Sequence, residues 1–433
     1  FGHSALAVTD HFNIQSLPDL YNLTKGKNIK PIYGVEGALI DENKFKIAFT
    51  DADIDLRTAT FVVYDLETTG LSSNYDEIIE IAAVKIQNLQ IVDEYSTLVK
   101  PKKAIPAYIT EITNITNDDV RNAPAIFEVI GEFHTFIKDC LLVAQNASFD
   151  NSHLYKNLKD AGLFTKEFPT IDTMQLAKIR YGHKLKTFNL KSLAKFFDVD
   201  LIQHHRALND AKATAEIFIK MLKGILSEKV NNYQDINAAF IDEQAYQNAM
   251  STHINILSKN KKGTKNLNLI ISDSHTTHFY KEPRILKTYL EAHREGLLLG
   301  SSCCNGEIFD LAWRESYETL LSALHFYDYI EIQPVDHYLH LFEDDDIEAN
   351  KDLIKQILKK IIQASQECGK PVVATGDVHI LNSDDYKLRE IFINAPQVGG
   401  GIHKLFNKNN IATQHFMTTE EMLQAFSFLG DDL

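Results

Sequence analysis

The sequence predicts an α/β protein in which one globular block interrupts another. Short apolar runs alternate with amphipathic stretches along nearly all of the 433 residues. Residues 59–225 form a self-contained block with its own strands and a long closing helix. The flanks, 1–58 and 226–433, share a different habit: their apolar runs end on potential metal ligands. In barrel-like α/β folds functional residues gather at the C-terminal ends of the strands, so the flanks read as one barrel split by an insertion.

In chain order, "ALAVTDHF" is an apolar run that stops on Thr9, Asp10 and His11, and "KPIYGVEG" ends on Glu36. Within the block, "TATFVVYDLETTG" opens as a buried strand and "EIIEIAAVKIQNLQIVDEYSTLVKP" supplies further strands. "LLVAQNASFD" runs from strand into helix, and "RALNDAKATAEIFIKMLKGIL" is the long helix that closes the block near residue 225. The second flank continues with "STHINIL", "EGLLLGSSCC" and "PVVATGDVH", with helical "DLIKQILKKIIQASQECGK" among them. "GDVH" reads as a strand end, which puts Asp377 and His379 on one face. No internal repeat or low-complexity tract stands out.

Composition narrows the class. The length suits about three domains by the usual size. With 44% hydrophobic and 24% charged residues the chain is an ordinary globular one, and no apolar run is long enough to span a bilayer. "FGHSALAVTDH" lacks the parts of a signal peptide and reads as the interior of a domain. Cys140, Cys303, Cys304 and Cys368 form no CxxC pair or disulfide framework, which points to a reducing, cytoplasmic setting. The net charge of -15 opposes non-specific DNA binding, so any contact with DNA must be local. Residues 173–197 carry Lys178, Arg180, Lys184, Lys186, Lys191 and Lys195 and no acid. Such a run fits a solvated helix face, and it also fits DNA phosphates.

The chemistry starts with Asp65 and Glu67, two positions apart at a strand end and therefore on one face. Two close carboxylates repel each other unless one is protonated or a cation lies between them, and oxygen-only ligands favour Mg²⁺ or Mn²⁺. Alone the pair fits a turn with two solvated acids. Asp150 at a strand-to-helix junction, then His205 and Asp210 in "HHRALNDA", make a far rarer combination. Residues five apart differ by about 140° around a helix, so His205 belongs on the preceding loop and Asp210 on the first turns. The neighbouring His204 competes by chemistry. In the flanks, His11, Glu36, His253, Cys303, Asp377 and His379 end the apolar runs, and such mixed ligands suit Zn²⁺ or a mixed Zn, Mn or Fe cluster.

The central block resembles the DEDDh exonuclease family, with all five motif positions present and in order. The resemblance implies a ribonuclease-H-like fold and two divalent ions, Mg²⁺ or Mn²⁺, held by Asp65, Glu67, Asp150 and Asp210. It makes His205 the general base for a water that releases a nucleotide from a 3' end. The HxxxxD spacing selects His205 over His204. The basic segment before this motif, with Lys184, Lys186 and Lys191, is a candidate DNA contact. Phe188 or Tyr181 could stack on a base, or both could serve packing. Gln145 stands where the family usually has histidine, with little effect expected on metal binding.

The flanks resemble the PHP (polymerase and histidinol phosphatase) domain, with ligands His11, Glu36, His253, Cys303, Asp377 and His379; Asp10 and His275 are secondary candidates. Cys304 replaces a residue commonly acidic in the family. A PHP domain interrupted by a DEDDh exonuclease resembles the N-terminal half of the PolC-type DNA polymerase III family. The resemblance implies a ribonuclease-H-like domain inserted into a PHP-type distorted β/α barrel, and proofreading 3'-5' exonuclease activity during replication. Implied partners are primer-template DNA or a single-stranded 3' end, the polymerase domain of the same polypeptide, and replisome components such as a sliding clamp. The family's HxH motif and a further acidic ligand lie upstream of "AVTDH", so the PHP cluster is expected to be incomplete here, and the polymerase domain is expected beyond "FSFLGDDL". Two other readings stay open, a PHP phosphoesterase and a non-catalytic replisome scaffold.

Overall fold

The structure, a computed structural model, describes residues 2–201, 205–342, 346–396 and 401–432. The chain divides into two compact units, one of residues 1–41 with 250–433 and one of residues 42–249. The first unit opens with β1 (Ala5–His11) and β2 (Lys30–Ile40). The second holds β3 (Ala48–Phe49), β4 (Phe61–Thr68), β5 (Ile78–Gln87), β6 (Gln90–Leu98), β7 (Leu141–Ala144) and β8 (Thr170–Asp172). The chain then returns to the first with β9 (Thr252–Ser258), β10 (Phe279–Tyr280), β11 (Glu282–Leu286), β12 (Leu297–Gly300), β13 (Ile330–Ile332) and β14 (Val372–Ala374).

The six-stranded sheet of the second unit has the order β3-β8-β7-β4-β5-β6. β4 lies inside it, parallel to β7 and antiparallel to β5. Its apolar residues serve both faces, the reason "FVVY" reads as a continuous rather than alternating run. Phe61 and Val63 pack with Ala213, Ile217, Phe218 and Met221 of the helix Ala207–Ser227. Val62, Tyr64 and Leu66 pack on the other face with Phe133 and Ile137 of Ile126–Ile137 and Leu154 and Leu158 of Ala147–Asp160. Each fully buried aromatic or aliphatic side chain contributes about 1.5–3 kcal/mol.

This unit is wider than the 59–225 read from sequence. β3 pairs with β8, and the Asn237 side chain accepts from the Ile47 and Ala48 amides. Tyr233 and Ile236 are fully buried in the core. The extensions were not legible because a two-residue strand and short helical turns carry no period. The basic segment is likewise two helices, Thr173–Tyr181 and Leu190–Phe197, rather than one face, so Lys184 and Lys186 lie on the connection.

In the first unit β2 is the hub. It runs parallel to β1 and β11 and antiparallel to β9, which pairs onward with β12. Gly34 permits this: a Cβ there would lie 2.5 Å from Leu257 Cδ2 and 2.8 Å from the Ile256 carbonyl oxygen. The helix Ile347–Glu367 buries Ile354, Ile357, Leu358 and Ile361, the i, i+3, i+4, i+7 stripe its sequence shows. β13 pairs with β14, and a bridge from Gly300 to Tyr329 links them to β12. Among the described residues no ladder joins β14 to β1. β14 is only three residues long, and Asp377 soon after it has a φ of 41°, which ends extended backbone.

Candidate functional site

The acidic centre forms where β4 outruns its neighbour. β7 pairs with β4 only as far as Val63, which leaves the Leu66 amide free to donate to Asp150 Oδ1 at 3.1 Å. Asp150 is buried in the first turn of Ala147–Asp160. That helix start is tied down by Asp172, whose carboxylate accepts from the Ala147 amide at 3.0 Å and also caps Thr173–Tyr181. Asp65 and Glu67 share one face of β4, as the alternation predicted.

Asp210 is buried in the first turn of Ala207–Ser227, and His205 lies before the helix with a φ of 68°. The His205 amide donates to Asp210 Oδ2 at 3.1 Å. This is the loop-then-helix arrangement that the five-residue spacing demanded. Ligand atoms of Glu67, His205 and Asp210 all lie within 4.8 Å of one another. His204 lies outside the described residues.

The electrostatics show what this gathering costs. Burial pushes Asp65 well above the usual carboxylate range, and the charges of Asp150, Glu67 and Asp210 push it further. Burial also raises Glu67 to about 8, with Asp210 and Glu80 adding to the shift. Asp150 is raised well above its usual value by burial, against the hydrogen bond from Leu66. An oxygen-only donor set that resists its own ionisation fits hard divalent cations, because positive charge there relieves every one of these penalties.

Around the centre, Gln145 donates its amide to the Phe188 carbonyl at 2.8 Å and accepts from Thr173 Oγ1 at 2.5 Å, anchoring the basic segment. Lys184, Lys186 and Lys191 are exposed on that segment. Tyr181 packs on Phe196 and Phe197, and both Tyr181 and Phe188 lean on the core, so these rings serve packing. One residue escaped sequence reading: Glu80 on β5, directly opposite Glu67 and only 2% exposed. An acid inside the apolar run "EIIEIAAV" was its available signal.

The first unit gathers a second centre. Glu36 Oε2 meets His11 Nε2 at 2.6 Å, and Oε1 meets His253 Nδ1 at 2.7 Å. Ser302 donates to Glu36 Oε1 at 2.7 Å, and Cys303 Sγ lies 3.3 Å from both Glu36 Oε1 and His253 Nδ1. His379 packs edge-on against His11 at 5.8 Å and lies 3.7 Å from Asp377 Oδ1. All six predicted ligands therefore meet or adjoin one another. Asp377 and His379 do so from a loop beyond β14, a correction to the shared strand face, because β14 ends at Ala374. Asp10 instead accepts from the Ser16 amide, and His275 bonds the Phe12 carbonyl. Cys304 Sγ lies 3.9 Å from His340 Nε2.

Burial works to raise Glu36, yet the hydrogen bonds from His11 and His253 hold it well below the usual range. Burial opposes charge on His253, but Cys303 and Glu36 together bring it up to about 9. Asp377 is pushed up to about 6 by burial and by Glu36. Mixed imidazole, thiol and carboxylate donors fit Zn²⁺ or other transition metals.

The RNase_T family model, described as an exonuclease, matches residues 62–218 and so spans the acidic centre. DNA polymerase III PolC-type of Bacillus subtilis is 42% identical over 100% of this chain and 30% of its own length. That of Halalkalibacterium halodurans is 39% identical, again over 100% of this chain and 30% of its length. A solved structure of exonuclease X in complex with 5' overhanging duplex DNA is 29% identical, covers 38% of this chain and 92% of that one, and has a TM-score of 0.31. The chain spans about 30% of the length of the curated relatives it matches. Along its whole length the chain is thus similar to part of the PolC-type DNA polymerases III, with the exonuclease match lying inside that stretch.

Proposed function

We propose that residues 42–249 are a 3'-5' exonuclease that removes mismatched nucleotides from DNA during replication. The observation that carries this is that ligand atoms of Glu67, His205 and Asp210 lie within 4.8 Å of one another beside Asp65 and Asp150, where burial and neighbouring charge oppose ionisation of Asp65, Glu67 and Asp150. Asp65, Glu67, Asp150 and Asp210 would hold two divalent cations, Mg²⁺ or Mn²⁺, which when bound lower the pKa of water and neutralise charge on a leaving oxygen. His205, at the mouth of the helix, is the base that accepts the proton of the attacking water. Its backbone tie to Asp210 keeps the imidazole beside the carboxylates. Lys184, Lys186 and Lys191 bind phosphates of a primer-template or a single-stranded 3' end. Loss of nuclease activity on 3'-mismatched DNA in both Asp65→Ala and His205→Ala tests this; parental activity in both variants would refute it.

By the same reading the fold of 42–249 is ribonuclease-H-like and interrupts a PHP-type domain built from both flanks. The flanks then act as a scaffold in a cytoplasmic replicative polymerase, alongside its polymerase domain and replisome components such as a sliding clamp. The meeting of His11, Glu36, His253 and Cys303 favours a second reading, in which these residues, with Asp377 and His379, hold Zn²⁺ or a mixed Zn, Mn or Fe cluster for phosphoester hydrolysis. Phosphoesterase activity lost on His379→Ala while exonuclease activity persists would establish it; no such activity would leave the flanks as scaffold alone.

A further inference from the structure

We propose that Glu80 is a positioning residue for the acidic centre, acting through Arg206 to fix the junction that presents His205 and Asp210. This rests on the exonuclease reading of 42–249. Glu80 stands directly across the β4–β5 ladder from Glu67. Like charges in that position are unfavourable, and burial adds to the cost.

The carboxylate is satisfied by donors from a single place. Arg206 donates through Nε at 3.3 Å and Nη2 at 3.0 Å, and the Ala207 amide donates at 3.0 Å. Ala207 begins the helix that carries Asp210, and no side chain of Arg206, its N-cap residue, caps that helix. Glu80 therefore does from a neighbouring strand what a local cap would do, and its charge lies at the favourable end of the helix dipole.

The junction needs such a hold. A φ of 68° at His205 is left-handed backbone, which costs a histidine about 1 kcal/mol or more. Two pins bracket it. On one side the His205 amide is bound by Asp210 Oδ2, and on the other Arg206 and Ala207 are bound by Glu80. Without the second pin, the imidazole and the Asp210 carboxylate lose their common reference to β4, the strand that carries Asp65 and Glu67. Geometry at the centre then fails while the DNA-binding surface is untouched.

The test uses the full chain with a single-stranded oligonucleotide and Mg²⁺, comparing Glu80→Ala, Glu80→Gln and Arg206→Lys. Glu80→Ala should lower kcat about 10–100-fold with KM within about twofold, and Glu80→Gln, which keeps an acceptor for Ala207, should lower it less. Amide exchange at Ala207 and Asp210 should quicken in Glu80→Ala. In a His205→Ala background the loss from Glu80→Ala should shrink to the part carried by Asp210, because Glu80 and His205 act partly as one unit. Folded variants with parental kcat, an effect carried by KM, or multiplicative losses in the double variant would each overturn the proposal. If circular dichroism shows that Glu80→Ala does not fold, Glu80→Gln and Arg206→Lys decide it by the same criteria. An inactive parent chain would overturn the exonuclease reading itself, an outcome distinct from an active parent with equally active variants.

Discussion

Replacing Glu67 by glutamine in the metal-free protein removes a charge that the folded state resists. Burial, Asp210 and Glu80 bring this carboxyl from 4.5 to about 8. The folded state thus holds its proton more tightly than the unfolded chain. Its contribution is fully present below pH 4.5 and is lost as the pH rises through about 8. That difference corresponds to about 5 kcal/mol above pH 8, shared in practice with the other carboxylates of the centre. Glutamine keeps the shape and never ionises. In EDTA at pH 8.5, Glu67→Gln should therefore stabilise residues 42–249 by about 3–5 kcal/mol, and the gain should fade toward pH 4.5. Urea unfolding followed by far-UV circular dichroism measures it. Trp313, the single tryptophan, lies in the other unit, so its fluorescence should be unchanged. Saturating Mn²⁺ should narrow the gap, because cations at about 100 times their Kd add about 2.7 kcal/mol to a chain that binds them. A variant no more stable than the parent at pH 8.5, or a gain independent of pH, would refute the reasoning.

Other outcomes follow from the same geometry. Tyr64→Phe removes the 2.7 Å donor to Asn151 Oδ1 beneath the centre, and an unpartnered buried acceptor should cost about 1–3 kcal/mol in urea unfolding. Gly34→Ala forces a Cβ against Leu257 and the Ile256 carbonyl, and should destabilise the first unit by about 1–3 kcal/mol, read by Trp313 fluorescence. Changing Lys184, Lys186 and Lys191 together to alanine should weaken binding to single-stranded DNA and reduce the salt slope by about 2. An unchanged slope would make the segment solvated surface.

What the sequence discloses follows from how local each signal is. Asp65 and Glu67 were legible because strand alternation alone puts them on one face. The HxxxxD spacing of the DEDDh resemblance marks His205 and Asp210, and helix geometry puts one on the loop and the other on the first turn. The ligand set of the first unit was visible as polar residues ending apolar runs, yet the placement of Asp377 and His379 was not, since β14 is too short to announce where it stops. Glu80 was missed because its partners, Arg206 and Ala207, lie 126 and 127 residues away, and only the fold reveals why an acid interrupts that apolar strand.

Product release from a 5'-labelled primer with a mismatched 3' terminus tests the chemistry of the acidic centre most directly. In Mn²⁺ or Mg²⁺ the chain should shorten the primer stepwise from its 3' end. EDTA and Asp65→Ala should each abolish the shortening. Internal cleavage, activity in EDTA, or undiminished shortening by Asp65→Ala would contradict the account.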